Sequence, residues 1–67
     1  MIIKFNIKPI RKKEKITLKE LSHKTGISTT HLNDIENNNK MPSMIFAILI
    51  AKALRVKVDE IYTIERY

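Results

Sequence analysis

The sequence predicts an all-α fold, a compact domain of five short helices over residues 1–67, with a candidate pair of short strands at its ends. Residues that cap helix N-termini stand before three apolar runs, at Thr17, Ser28 and Ser43. The chain also contains a single glycine, Gly26, which stands between the first two of these runs. At 67 residues we expect one domain with a marginal core.

The first two elements are a strand and a short helix. In the arm of residues 1–6 and just beyond it, apolar Ile3, Phe5 and Ile7 alternate with polar residues, which is the period of a strand. A short helix is predicted from Pro9 to Glu14, because proline is tolerated in a first helical turn.

The second helix is predicted from Leu18 to Thr25. Thr17 and Glu20 have the spacing of a capping box, in which each side chain satisfies a free backbone donor of the other residue. Gly26 ends this helix, because glycine supplies the positive φ of a sharp turn.

The third helix begins directly after the capping residue Ser28. Leu21, Leu32 and Ile35 are predicted to bury the inner sides of both helices, with Ile27 filling the space between them. Two short helices joined by a glycine-containing turn form a helix-turn-helix arrangement, here over residues 17–36. The alternative is an ordinary helical hairpin with a solvated polar face.

Two further helices and a tail complete the prediction. Ser43 is expected to cap a helix from Met44 to Leu54, and Asp59 a short one from Glu60 to Thr63. The tail of residues 63–67 has moderate β propensity and is the candidate partner of the N-terminal strand.

The charge balance suits a polyanionic partner. Thirteen Lys and Arg against seven Asp and Glu leave a net charge of +6, which favours nucleic acid but serves solubility equally well. Binding to an anionic membrane surface needs a longer basic helix than residues 8–15 can form, and no apolar stretch approaches the roughly 20 residues of a membrane span. Without a signal peptide or cysteine, we expect a cytoplasmic, nucleoid-associated protein.

Residue types that support catalysis are sparse. His23 and His31 have no partner at metal-ligand spacing, and the chain has no cysteine. Asp34 and Glu36 are two positions apart on a helix, so they point to different faces and do not form an acid/base pair. No glycine-rich phosphate loop is present. We therefore expect no enzyme activity, no metal and no cofactor.

From Ile7 to Tyr62 the sequence resembles the phage repressor and Cro type of helix-turn-helix DNA-binding domains. The segments that carry the resemblance, in the family's order and spacing, are Ile16–Leu21, Thr25–Ser28, Leu32–Asn37, Pro42–Ser43, Ala51–Leu54 and Val58–Ile61. The resemblance implies a sequence-specific transcriptional regulator, a repressor that binds a near-palindromic operator in double-stranded DNA.

The resemblance also implies roles for single residues. In the family, an arginine of the first helix packs against the glutamate that ends the recognition helix, here Arg11 and Glu36. The family's base-contacting positions in the recognition helix, which is the third helix here, fall on Thr29, Thr30 and Asp34. The outward side of this helix also offers His31 and Asn33, short polar side chains able to meet base edges. The expected phosphate contacts are Arg11, Thr17, Leu18, Asn37, Asn38, Asn39 and Lys40.

Several residues depart from the family pattern. Lys15, Asn38 and Arg55 stand where the family usually has glycine at helix ends, and Leu18 where it often has glutamine. The recognition helix carries no Lys or Arg, so guanine readout by a bidentate arginine is not expected from it. Asp34 repels phosphate and would favour a cytosine amino group.

The fourth helix has apolar Ile45, Phe46 and Leu49 at positions that are usually polar in the family. Either the terminal strands or a second subunit must cover this face. We favour a homodimer, because two recognition helices about 34 Å apart can read a near-palindrome. The alternative is a protein-interaction module, such as an antitoxin, that binds a different protein partner through the same face.

Overall fold

A computed structural model describes residues 2–65 of the chain. Within that range the elements are β1 (Ile2–Phe5), α1 (Ile7–Lys13), α2 (Leu18–Thr25), α3 (Thr29–Glu36), α4 (Met44–Ala53), a 3-10 helix (Val58–Glu60) and β2 (Tyr62–Glu65). The mostly helical fold and the pairing of the terminal strands are confirmed. Residues 1, 66 and 67 of the predicted arm and tail lie outside the described range.

The predicted count of five helices is wrong, because the described residues form four α-helices. In place of a helix from Glu60 to Thr63, the chain makes one 3-10 turn. The Glu60 carboxylate accepts a hydrogen bond from the backbone N–H of Lys57 at 2.7 Å, which caps the N-terminal end of this turn. The backbone from Tyr62 onward is then used for pairing with β1, so it is not available to extend a helix.

The two strands pair antiparallel, with Ile3 opposite Ile64 and Phe5 opposite Tyr62. Directly opposed residues lie on the same face of a sheet, so these four side chains form one apolar face. The rings of Phe5 and Tyr62 lie 6.3 Å apart and both pack against the core. The sheet therefore covers one side of the helical domain.

Helix α1 begins two residues earlier than predicted, at Ile7. The alternating pattern of apolar residues predicts that Ile7 continues the strand, but its side chain is fully buried in the helical core. Pro9 becomes the third residue of the helix, where its missing N–H would have had no intrahelical partner. The tertiary contact of Ile7 thus decides where the strand ends.

The core lies between the helices and includes a residue of the 3-10 turn region. Leu21, Ile27, Leu32 and Ile35 are buried as predicted. The other buried hydrophobic residues are Ile7, Ala47, Ile50, Ala51, Leu54 and Ile61. Among the described residues, no helix is long and apolar enough to cross a membrane.

Candidate nucleic-acid interface

The turn between α2 and α3 is built by three consecutive residues. Gly26 has φ +77°, and open space surrounds the position a Cβ would occupy, so the backbone angle is what favours glycine. The Thr25 hydroxyl donates to the Leu21 carbonyl at 2.8 Å and accepts from the Ile27 N–H at 3.2 Å. Ile27 is 3% exposed and fills the space between the helices. This confirms the predicted helix-turn-helix geometry.

The N-terminus of α2 is capped as predicted. The Thr17 hydroxyl accepts from the Glu20 N–H at 3.1 Å, and the Glu20 carboxylate accepts from the Thr17 N–H at 3.3 Å. Within the described residues, the N–H groups of Leu18 and Lys19 make no hydrogen bond. A helix N-terminus with free donors is suited to a phosphate, although the Glu20 carboxylate lies beside it.

Helix α3 separates an inner from an outer side. Its cap is Ser28, whose hydroxyl accepts from the His31 N–H at 3.1 Å. Thr29, Thr30 and Asn33 are exposed on the outer side, and none of their side chains makes a hydrogen bond to another described residue. Their hydroxyl and amide groups are therefore available to a ligand.

The other two predicted base-reading residues have protein partners. The half-buried His31 ring meets the Phe46 ring edge-on, with centroids 5.3 Å apart. The Asp34 carboxylate lies 3.6 Å from the Lys40 ammonium. Lys40 therefore balances the negative charge that Asp34 brings to the outer side of α3, at the edge nearest the following loop.

Arg11 and Glu36 form the ion pair that the resemblance implies. Arg11 Nε lies 2.8 Å and Nη2 3.3 Å from the two Glu36 carboxylate oxygens, and the side chains are only 13% and 3% exposed. Arg11 Nη1 also donates to the Ile16 carbonyl at 3.1 Å. The Arg11 guanidinium thus links α1 to Ile16, in the segment before α2, and to Glu36, at the end of α3. A guanidinium has five N–H donors, so two remain beyond these three bonds.

Lys15, Asn38 and Arg55 adopt the left-handed backbone that their positions require in the family. Their φ angles are +57°, +60° and +60°. Each residue follows a helix end, where a left-handed residue returns N–H groups to the last free carbonyls. The turns therefore keep the geometry usually made with glycine.

Residues 37–40 form the loop that follows α3, the post-recognition loop, and hydrogen bonds tie this loop back to α3. The N–H of Asn38 donates to the Ile35 carbonyl at 3.0 Å, and those of Asn39 and Lys40 donate to the Asp34 carbonyl at 2.8 and 3.3 Å. These backbone donors are occupied by α3, so a phosphate would meet the side chains of this loop. Asn38 Oδ1 also accepts from the Phe5 N–H at 2.9 Å.

The predicted apolar face of α4 is split by the structure. Ile45 is 69% exposed and Leu49 is half-buried, whereas Phe46 packs inward against the core and His31. The described strands leave Ile45 uncovered, so strand cover does not account for this face. Ile48, 46% exposed, joins it.

Three exposed apolar residues and one hydrogen bond of these surfaces are not predicted from the sequence. The α4 surface, defined as Ile45, Ile48 and Leu49, follows from i, i+3 and i+4 spacing, and Ile48 could have been included on that basis. Met44, the first residue of the same helix, is 73% exposed, and Met41, in the loop before it, is 62% exposed. The Asn38 bond to Phe5 spans 33 residues and leaves no local sequence signal.

The amino-acid sequence is similar to a protein family and to a phage repressor. Residues 7–61 match the helix-turn-helix family. The chain is 36% identical over 61 residues to the immunity repressor protein of Bacillus phage phi105. That alignment covers 91% of this chain and 42% of the phage protein, so the chain spans less than half the length of that relative.

Proposed function

Because the chain belongs to the helix-turn-helix family of the phage repressor and Cro type, we propose that it is a sequence-specific transcriptional regulator that acts as a repressor. The family consists of DNA-binding regulators and is not a class of enzymes. The proposed ligand is a near-palindromic operator in double-stranded DNA. The proposed location is the cytoplasm, in association with the nucleoid.

The observation that carries the proposal is the outer side of α3. Thr29, Thr30 and Asn33 are exposed there on a helix whose inner side is fixed by buried Leu32 and Ile35. Hydroxyl and amide groups on a rigid helix can meet the base edges of a major groove. His31 and Asp34 would contribute from the margins of this side, held by Phe46 and Lys40.

Phosphate contacts would supply most of the affinity, because α3 itself has no Lys or Arg. The proposed contacts lie at two places. Thr17 and Leu18 offer the N-terminus of α2, and the post-recognition loop offers the side chains of residues 37–40. Arg11 would reach a phosphate only through the donors left by Glu36 and Ile16. Its larger proposed role is to hold α2 and α3 in register.

A homodimer is proposed through the α4 surface. Ile45 and Ile48 expose apolar area that the described strands do not cover, and burial of such area favours association. A second copy would bring a second recognition helix to the next major groove. Phe46, which is also expected in this interface from the sequence, packs inward against the core and His31.

The antitoxin-like alternative uses the same surface for a different protein. The similarity to a phage immunity repressor and the match to a family of regulators favour the repressor. A protein partner would leave the exposed outer side of α3 unexplained. We therefore do not propose this alternative as the function.

Selection of bound sites from random duplex DNA, followed by gel-shift titration, tests the reading role. The double variant Thr30→Ala, Asn33→Ala should lose at least about tenfold in affinity for the selected site, because paired contacts to a base contribute about 1–3 kcal/mol. Its circular dichroism should match that of the original chain, since both residues are exposed.

Asp59→Ala is the control for this titration, because Asp59 is exposed on the 3-10 helix and away from α3. It should bind the selected site as the original chain does. Unchanged affinity of the double variant, or the absence of any enriched site, would remove α3 from the reading role.

A further inference from the structure

We propose that Asn38 is a positioning residue. Its hydrogen bond to strand β1, called the brace, holds the post-recognition loop in place. This inference rests on the proposed DNA-binding function, in which that loop meets a phosphate. The inference adds the N-terminal strand to the elements that order the interface. Among the residues proposed to contact bases or phosphates, the described part of this strand forms a hydrogen bond only with Asn38.

The brace is a single long-range hydrogen bond. Asn38 Oδ1 accepts from the Phe5 N–H at 2.9 Å. This N–H lies on the edge of β1 that does not face β2, so the sheet does not satisfy it. Asn38 also has φ +60°, a conformation that asparagine tolerates better than most residues. One residue thus supplies both the turn of the loop and its link to the strand.

Packing between the loop and the strand is incomplete. An open pocket of about 210 Å³ is lined by Ile3, Phe5 and residues 38–41. Where the two surfaces do not meet, dispersion contacts are weakened and a directed hydrogen bond carries more of the attachment. The other hydrogen bonds of the loop to described residues run to α3. They use the Asn33, Asp34 and Ile35 carbonyls, and the Asp34–Lys40 ion pair adds to them.

The strand is itself anchored to the core, so it can act as a fixed support. The Asn6 N–H donates to the carbonyl of fully buried Ile61 at 2.7 Å. The Asn6 side-chain amide donates to the Thr63 hydroxyl at 2.7 Å. A second connection between the core and the post-recognition loop, besides α3, therefore runs through Asn6, Phe5 and Asn38.

NMR-detected hydrogen exchange of the full chain without DNA tests the brace directly. Asn38→Gly keeps the left-handed backbone and removes the acceptor, so the Phe5, Asn39 and Lys40 amides should exchange about fivefold faster, as expected for one net hydrogen bond. Asn38→Asp retains an acceptor and should restore Phe5 protection. Asn39→Ala is the control for Phe5 exchange, because the Asn39 side chain makes no hydrogen bond to a described residue.

Gel-shift titration on the selected site measures the functional consequence. Asn38→Gly should lower affinity about fivefold while the melting curve stays cooperative. Unchanged Phe5 exchange in Asn38→Gly would refute the hydrogen bond. Faster Phe5 exchange with unchanged Asn39 and Lys40 exchange, or with unchanged DNA affinity, would refute the brace. Failure of the original chain to bind any DNA would refute the proposed function instead, and the exchange data would still decide whether the loop is braced.

Discussion

At the scale of single residues, three helix ends carry a side chain where the backbone favours glycine. Arg55 has φ +60° and is exposed, so its Cβ meets the neighbouring carbonyl without gaining a packing contact in compensation. Lys15 is in the same situation at φ +57°. Asn38 differs, because its side chain is used in a hydrogen bond. Substitution by glycine should therefore remove the backbone strain at Arg55 and at Lys15.

Arg55→Gly should stabilise the protein by about 1 kcal/mol, because it removes the steric cost of a left-handed non-glycine residue. Urea denaturation followed by circular dichroism would measure the shift. The matched control is Lys57→Gly, since Lys57 is exposed but has φ −78°. That variant should lower stability by about 0.5–1 kcal/mol through backbone entropy. Equal shifts of the same sign in both variants would contradict the assigned strain.

At the scale of elements, the α2–α3 unit depends on its turn as much as on its helices. Each helix has only eight residues, too short to be stable alone. The Thr25 hydroxyl joins the last turn of α2 to the Ile27 N–H, and the Ser22 hydroxyl donates to the Ile27 carbonyl. Both polar groups of the Ile27 backbone are thus satisfied beside the core.

Thr25→Val should destabilise the protein by about 1–2 kcal/mol, because it retains the shape of the side chain and leaves the Ile27 N–H without its acceptor. Thr30→Val is the same chemical change at an exposed position with no described hydrogen bond, so its effect should stay within about 0.5 kcal/mol. Denaturant midpoints of the two variants give the comparison. A similar midpoint for both would show that the Thr25 hydroxyl does not hold the turn.

At the scale of the whole molecule, the apolar surface is unevenly covered. The sheet faces Ala47 and the start of α4 across an open pocket of about 290 Å³, lined partly by Phe5 and Tyr62. The opposite side of α4 keeps Ile45 and Ile48 exposed. A 67-residue chain has a small core, so association through this side would add stability as well as a second recognition helix.

Ile45→Glu should convert the proposed homodimer into a monomer, because the substitution places a charge at the centre of the α4 surface. Light scattering coupled to size exclusion would measure the mass, and operator affinity should fall with it. Ile64→Glu is the control, since Ile64 is 47% exposed on the sheet and lies off α4. A dimeric Ile45→Glu protein, or a monomeric original chain at all accessible concentrations, would rule out this interface.

The candidate site was largely predictable where its signals are local. The spacing of capping residues in the sequence predicts Thr17, Glu20, Ser28 and Ser43. All four make the expected hydrogen bonds. The Arg11–Glu36 pair spans 25 residues and was identified only through the family resemblance. The DNA-contacting roles of the exposed residues stay predictions.

The sequence by itself determined the helices from Leu18 to Ala53, because caps, Gly26 and apolar spacing act within a few residues of one another. The tertiary structure decided the two chain ends. Ile7 leaves the strand pattern because the core buries it, and Tyr62 leaves the predicted fifth helix because β1 pairs with it. The tertiary structure also decided that Phe46 faces inward and Ile45 outward. These outcomes depend on contacts between residues distant in sequence, whose free energy exceeds the small differences in local propensity.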